Sequence, residues 1–279
     1  MTPRAQPSRR RRLIGLVTLS VLGIGALGAP VAWAGTFLPQ SGGSPNADRI
    51  STLYEIALYM AIVIFIVVEG ALVYSLVKFR ARRHVVPAQI RGNTRLELAW
   101  TVGAALILVV LAVITFVTLS AIRIPDNSGP GGYRLASSGA LFATTDRQLP
   151  PNGKSLNIQV NGQQFLWRYT YPGGGANGLG APYSYEEMVV PTDTTVTLDI
   201  VSQDVAHSWW IPELGGKADA VPGHTNFDWF KISKPGVFRG QCAELCGRNH
   251  ADMVAKVVAV EPAQFKQWLA NKKREIEAA

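Results

Sequence analysis

Cysteine, histidine and charge are scarce in this chain. Only two of its 279 residues are cysteine, and histidine and methionine occur four times each. No Cys-x-x-Cys-His run is present, so no attached c-type haem is expected. Charged residues make up 16% against 48% hydrophobic, leaving room for a compact domain plus membrane segments. Acidic residues are absent from 1–34, which carry five arginines, and from 78–95, which carry six basic residues. A net charge of +8 suggests a nucleic-acid or other anionic partner, yet residues 124–279 carry 14 basic and 15 acidic side chains. The basic excess is therefore a topology signal and not a polyanion-binding surface. No nucleic-acid partner is expected.

What is present divides the chain. Residues 1–34 read as a cleaved signal peptide: arginines at 9–12, an apolar run at 13–27, then Ala32-Trp33-Ala34. An uncleaved membrane helix is the alternative; Pro30 and the small-residue ending favour cleavage. A Gly-, Ser- and Pro-rich linker at 35–53 follows. Residues 54–122 read as a two-helix transmembrane hairpin, with helices at 54–77 and 96–122 and a basic cytoplasmic loop at 78–95. That orientation puts everything after it outside. Glu69, inside the first span, should face protein or water and so implies a partner subunit. Thr94 and Glu97 have capping-box spacing at the start of the second.

After a linker at 123–154, residues 155–261 carry short β runs at 156–160, 165–171, 188–190, 195–201, 224–232, 236–240 and 253–260. Turns rich in Gly and Pro separate several of them. Such spacing reads as a β-sandwich or Greek-key barrel. The tail at 262–279 reads as a helix with Phe265, Trp268 and Leu269 on one face. The fold class is α+β: a transmembrane hairpin followed by a cupredoxin-like β-sandwich.

Both cysteines sit in one loop, Gly240-Gln241-Cys242-Ala243-Glu244-Leu245-Cys246-Gly247-Arg248-Asn249-His250-Ala251-Asp252-Met253. Thiolate, imidazole and thioether are soft ligands suited to copper, zinc or iron–sulfur. His207 lies 35 residues before Cys242, in Asp204-Val205-Ala206-His207-Ser208-Trp209-Trp210. A disulfide would explain the cysteines but not His250 and Met253. A Cys2His2 zinc site has no use for Met253. A mononuclear blue-copper site needs one thiolate, not two. Two thiolates that each bridge two metal ions, with one histidine terminal to each, would use every ligand. The reading is copper for electron transfer.

The loop resembles the Cys-x-Glu-x-Cys-x3-His-x2-Met motif of the dinuclear copper (CuA) centre in subunit II of haem–copper cytochrome c oxidases. The stretch around His207 and Lys217-Ala218-Asp219-Ala220-Val221-Pro222-Gly223 are similar to that family too, and the likeness runs from about residue 52 to 268. The resemblance implies His207, Cys242, Glu244 through its backbone carbonyl, Cys246, His250 and Met253 as ligands of two copper ions. It implies a magnesium ion at the Glu244 side chain, shared with subunit I. It also implies partnership with subunit I, which carries haem, and with subunit III. A c-type cytochrome is the implied donor, and the setting is a bacterial-type plasma membrane with the copper domain on its outer face. Glu97 matches a glutamate at the mouth of a proton channel into subunit I.

In the family's aromatic run the first Trp receives electrons from cytochrome c; Phe165 stands there, with Trp167, Tyr169 and Tyr171 matching. Trp209 and Trp210 read as core and site wall. Asp204, Glu186 and Glu187 are candidate guides for a basic cytochrome. Two further departures are Gly103-Ala104 in place of a proline, and His224 in place of an arginine whose permanent charge histidine cannot supply. A quinol-oxidase-type subunit II would lack the copper ligands. A membrane-anchored copper carrier would need exchangeable metal and an open site.

Overall fold

The computed structural model of the chain describes residues 37–80, 89–130, 148–173 and 180–278. The leader expected at 1–34 and parts of the 78–95 and 123–154 connections lie outside the described residues.

Helix α1 spans Pro45–Lys78 and α2 spans Thr94–Arg123. At about 1.5 Å per residue they run to ~51 and ~45 Å, well beyond a hydrocarbon core of about 30 Å. The excess lies partly at the start of α1, which begins inside the stretch read as a linker. Pro45 occupies its first turn, where a missing N–H costs nothing and the fixed φ suits a helix. Asn93, not Thr94, caps α2: its Oδ1 accepts from Leu96 N–H at 3.2 Å, and Glu97 Oε1 accepts from Asn93 N–H at 3.1 Å. Asn is at least as good a cap as Thr, so the reciprocal pair forms one residue earlier than the spacing suggested. Buried residues are confined in α1 to Asn46, Ala47 and Ser51, and α2 has none. Two helices apolar on every side suit lipid and neighbouring subunits, not the surface of a soluble domain.

The β domain holds β1 (Leu156–Gln163), β2 (Leu166–Thr170), β3 (Tyr183–Tyr185), β4 (Glu187–Pro191), β5 (Thr195–Ser202), β6 (His207–Trp209), β7 (Ala218–Ala220), β8 (Asn226–Lys231), β9 (Gly236–Gln241) and β10 (Val254–Val260). All seven expected runs overlap a strand, several of which extend one to three residues further; the three-residue strands β3, β6 and β7 are additional. Sheets run in the orders β3-β2-β1-β5-β8, β4-β10-β9 and β6-β7. The pairs β1–β5 and β4–β10 are parallel and the rest antiparallel. The strands thus form two mixed sheets and an antiparallel pair and do not close into one ladder.

Alternation explains the burial. Leu156, Ile158 and Val160 of β1, Trp167 and Tyr169 of β2, and Val196, Leu198 and Ile200 of β5 are fully buried. Each such side chain contributes about 1.5–3 kcal/mol relative to exposure. Helix α3 (Pro262–Glu277) closes the core with Phe265, which is buried, and Trp268, stacked on it at 6.1 Å. Phe265, Trp268 and Leu269 share the inward face, as their spacing implied. Cys242, Cys246 and Met253 belong to the same cluster, so the loop is one end of the core.

The membrane helices are tied to this domain through β8. Trp229 Nε1–H donates to Ile122 O at 2.7 Å, and its carbonyl accepts from Asn46 Nδ2 at 3.3 Å. Arg49 on α1 pairs with Asp126 at 2.9 and 3.1 Å and donates to Ala121 O at 2.6 Å.

Candidate metal centre

Backbone bonds weld the cysteine loop to the strand that carries His207. Gln241 N–H donates to Trp210 O at 3.1 Å and Ala243 N–H to Ser208 O at 2.8 Å, while Cys242 N–H closes the loop on Met253 O at 2.9 Å. β6 is held in turn by β7, with His207 opposite Ala220; the Lys217–Gly223 stretch thus supports the histidine. Two glycines permit the close approach. A Cβ on Gly240 would lie 1.8 Å from Trp210 O, and one on Gly162 would lie 2.9 Å from the His207 ring.

The donors converge. His207 Nδ1 lies 3.8 Å from Cys242 Sγ, His250 Nδ1 3.6 Å from Cys246 Sγ, and the two sulfurs are 4.0 Å apart. Met253 Sδ is 3.8 Å from Cys246 Sγ, and Glu244 O is 3.3 Å from Cys242 Sγ. His207, Cys242, Cys246 and Met253 are buried; His250 is part-exposed and the Glu244 side chain exposed. Ligand atoms of His207, Cys242 and Cys246 all lie within 4.8 Å of one another.

This donor set fits a thiophilic metal. Two sulfurs 4.0 Å apart are not a disulfide, whose bond is about 2.05 Å, but metal–sulfur bonds of about 2.3 Å span the gap. Each sulfur has its own imidazole, and a buried thioether lies alongside, which a four-ligand zinc site leaves idle. Burial, then the neighbouring Cys242, pushes the Cys246 thiol up to about 11, so without metal it stays protonated near neutrality and binding must expel the proton.

Around the donors stands a shell that the sequence showed only in part. Asp204 Oδ1 lies 2.9 Å from His207 Nε2, and its Oδ2 accepts from Gln164 N–H at 2.7 Å. Partial burial opposes ionisation of Asp204, but hydrogen bonds from His207 and from the Gln164 and Val205 backbones outweigh it and hold the carboxyl below its usual range. The Gln164 side chain donates to Cys246 O at 2.6 Å. Its role as a bridge left no sequence signal, whereas Asp204 and His207 three residues apart could have suggested the pair. Trp167 is fully buried, edge-on to His207 at 5.8 Å. Phe165 is part-exposed and packs near Gly247.

Trp209 lies in the core, stacked on Phe230 at 6.2 Å, and Lys217 covers Trp210 at 4.9 Å. Glu97 sits at the start of α2 and His224 is exposed after β7, so neither belongs to the cluster. Of the acids expected to guide a donor, Asp204 touches the site, whereas Glu187 is paired with Lys256.

Comparison with known proteins gives this geometry a context. Residues 183–260 match the family model described as cytochrome c oxidase subunit II, periplasmic domain, and residues 31–118 match its transmembrane domain. A probable cytochrome c oxidase subunit 2 of Rickettsia bellii is 32% identical over 278 residues, covering 94% of this chain and 92% of that protein. The subunit 2 of Alkalihalophilus pseudofirmus is 33% identical over 235 residues, 84% of this chain and 61% of the relative. The solved periplasmic domain of subunit II from Bradyrhizobium japonicum is 34% identical, with a TM-score of 0.40, covering 43% of this chain and 95% of that one. The role that follows is that of the electron-accepting subunit of a proton-translocating oxidoreductase, feeding subunit I from a CuA-type centre. The chain belongs to the cytochrome c oxidase subunit II family.

Proposed function

We propose that His207, Cys242, Cys246, His250, Met253 and the carbonyl of Glu244 hold two copper ions in a cupredoxin-like, Greek-key domain. A c-type cytochrome supplies electrons from outside the membrane, and haem in subunit I receives them. The observation that carries this reading is the pair of sulfurs 4.0 Å apart, each faced by its own imidazole at 3.8 or 3.6 Å. Bound copper supplies a one-electron couple tuned by the residues around its sulfurs. The chain contributes burial, which excludes water, and a loop whose backbone is bonded to β6 and β10, so the donors keep their places as charge changes. The carboxylate–imidazole pair beside the sulfurs, Asp204 and His207, is taken up in holding the metal, so oxygen reduction belongs to subunit I.

The Glu244 carboxylate, which is exposed, shares magnesium with subunit I. Phe165, part-exposed, is the outer candidate for electron receipt, and Trp167, buried edge-on to His207, is the inner one. Glu97 serves at the mouth of a proton channel while bonded to Asn93 N–H. Subunits I and III cover the apolar helices, and the short basic segments orient the β domain outward from a bacterial-type plasma membrane. Residues 1–34 act as a cleaved leader. The test is metal content and electron paramagnetic resonance of the copper-loaded chain. Two copper ions sharing one unpaired electron are expected; a single zinc ion, or a Cys242–Cys246 disulfide in native protein, overturns the reading.

A further inference from the structure

Asp204 occupies an unusual place: one carboxylate touches both the buried end of the metal centre and the solvent. Its Oδ1 lies 2.9 Å from Nε2 of His207, whose side chain is 0% exposed, while the Asp204 side chain itself is 33% exposed. The opposite ring nitrogen, Nδ1, faces Cys242 Sγ at 3.8 Å. With Nδ1 turned to the metal pocket as an acceptor, Nε2 carries the hydrogen and donates to Asp204. The carboxylate is itself fixed by N–H groups of Gln164 at 2.7 Å and Val205 at 2.6 Å. Gln164 then reaches across to the second cysteine through its side chain, at 2.6 Å from Cys246 O. The acid is thus anchored to both halves of the site and has little freedom to swing away.

A carboxylate that accepts from a metal-ligating imidazole fixes its tautomer and makes the other nitrogen a stronger donor. A stronger donor stabilises the more highly charged, oxidised metal and lowers the reduction potential. A cation drawn to the exposed side of the same carboxylate withdraws that charge and reverses the effect. We infer that Asp204 is a positioning residue that couples docking of a positively charged electron donor to the potential of the centre. Contact with the donor's basic surface raises the potential and makes the centre a better acceptor while the donor is in place. One electron crosses to the oxidised centre; the His207–Asp204 hydrogen stays on Nε2 and no covalent bond forms or breaks. Once the donor leaves, the carboxylate regains its full charge and the potential falls, which favours passage of the electron onward. This inference rests on the reading of His207 as a copper ligand.

The experiment uses the full chain, copper-loaded in detergent, as wild type and Asp204→Asn. Copper content is measured first; failure of the wild type to bind two ions would overturn the copper reading itself. Spectroelectrochemistry then gives the potential at low salt with and without polylysine, a redox-inert polycation. Asn keeps the shape and a weaker acceptor, so Asp204→Asn is expected to retain copper. Its potential should be higher, by roughly a tenfold change in the equilibrium for electron uptake, or about 59 mV for one electron. Polylysine should raise the wild-type potential, lose that effect at about 1 M salt where exposed charges are screened, and leave Asp204→Asn unmoved. The nitrogen hyperfine coupling of His207 should change in the variant while that of His250 does not. An unchanged potential in a copper-replete Asp204→Asn overturns the inference, as does an equal polylysine shift in both proteins. If the variant fails to hold copper, a wild-type potential indifferent to polylysine at low salt overturns it alone.

Discussion

At the scale of single residues, the centre depends on what is absent beside His207. Gly162 lies against the imidazole, where a Cβ would come within 2.9 Å of the His207 ring and 3.1 Å of Trp167. Gly162→Ala is therefore expected to displace the ring from Cys242. Overpacking of this kind costs about 1–3 kcal/mol, and copper retention against a chelator should weaken at least tenfold. The measurement is competitive titration alongside thermal melting; a variant that melts lower but holds copper unchanged would show that the strain is relieved away from the ring. Cys246 supplies a second expectation. Because burial and Cys242 push its thiol up to about 11, copper must displace a proton at every pH below that. Apparent affinity should rise about tenfold per pH unit for each thiol deprotonated. Copper competition between pH 6 and 8 checks the slope, and a flat profile would mean that the thiolate is already present in the metal-free chain.

At the scale of elements, β8 carries a carboxylate in an awkward place. Asp228 stands opposite Leu198 of β5 and is half-buried. Burial, offset in part by a hydrogen bond from Trp229 N–H, pushes its carboxyl up to about 7. The folded chain then binds this proton more tightly than the unfolded chain does. Stability should fall as the pH rises from the ordinary carboxylate range towards 7, and stay low above it. Asp228→Asn should raise the melting temperature by several degrees at pH 8 and by less at pH 5. Equal gains at both pH values would mean that Asp228 is ionised throughout.

The same elements show what could be read in advance. Alternation in 156–160 and 195–201 identifies β1 and β5 because their apolar residues recur every second position over enough length. Three residues cannot display a period, so β3, β6 and β7 were invisible, although β6 carries His207. The start of α1 was missed because Pro45 lies in a Gly- and Ser-rich stretch that reads as linker until its first turn is packed under β8. The ligands were legible through their side-chain chemistry. The link through Gln164 was not, because half of it is a backbone N–H whose direction only the folded chain sets.

At the scale of the whole molecule, the β domain and the membrane hairpin meet through Trp229, Asn46, Arg49 and Asp126. Trp229→Phe keeps the aromatic surface and removes the N–H that meets Ile122 O at 2.7 Å. Leaving that carbonyl without its partner costs about 1–3 kcal/mol where it is shielded from water. The copper spectrum should be unchanged while limited proteolysis cuts the segment after α2 faster; unchanged cleavage would place the strength of the junction in Arg49 instead. Electron tunnelling weakens steeply with every added ångström between donor and acceptor. The indole fastens the end of α2 to β8, and the guanidinium ties α1 to the end of α2 and to Asp126, so the distance from the cysteine loop to the helices, and with it the length of an electron's jump towards the bilayer, is decided by the fold.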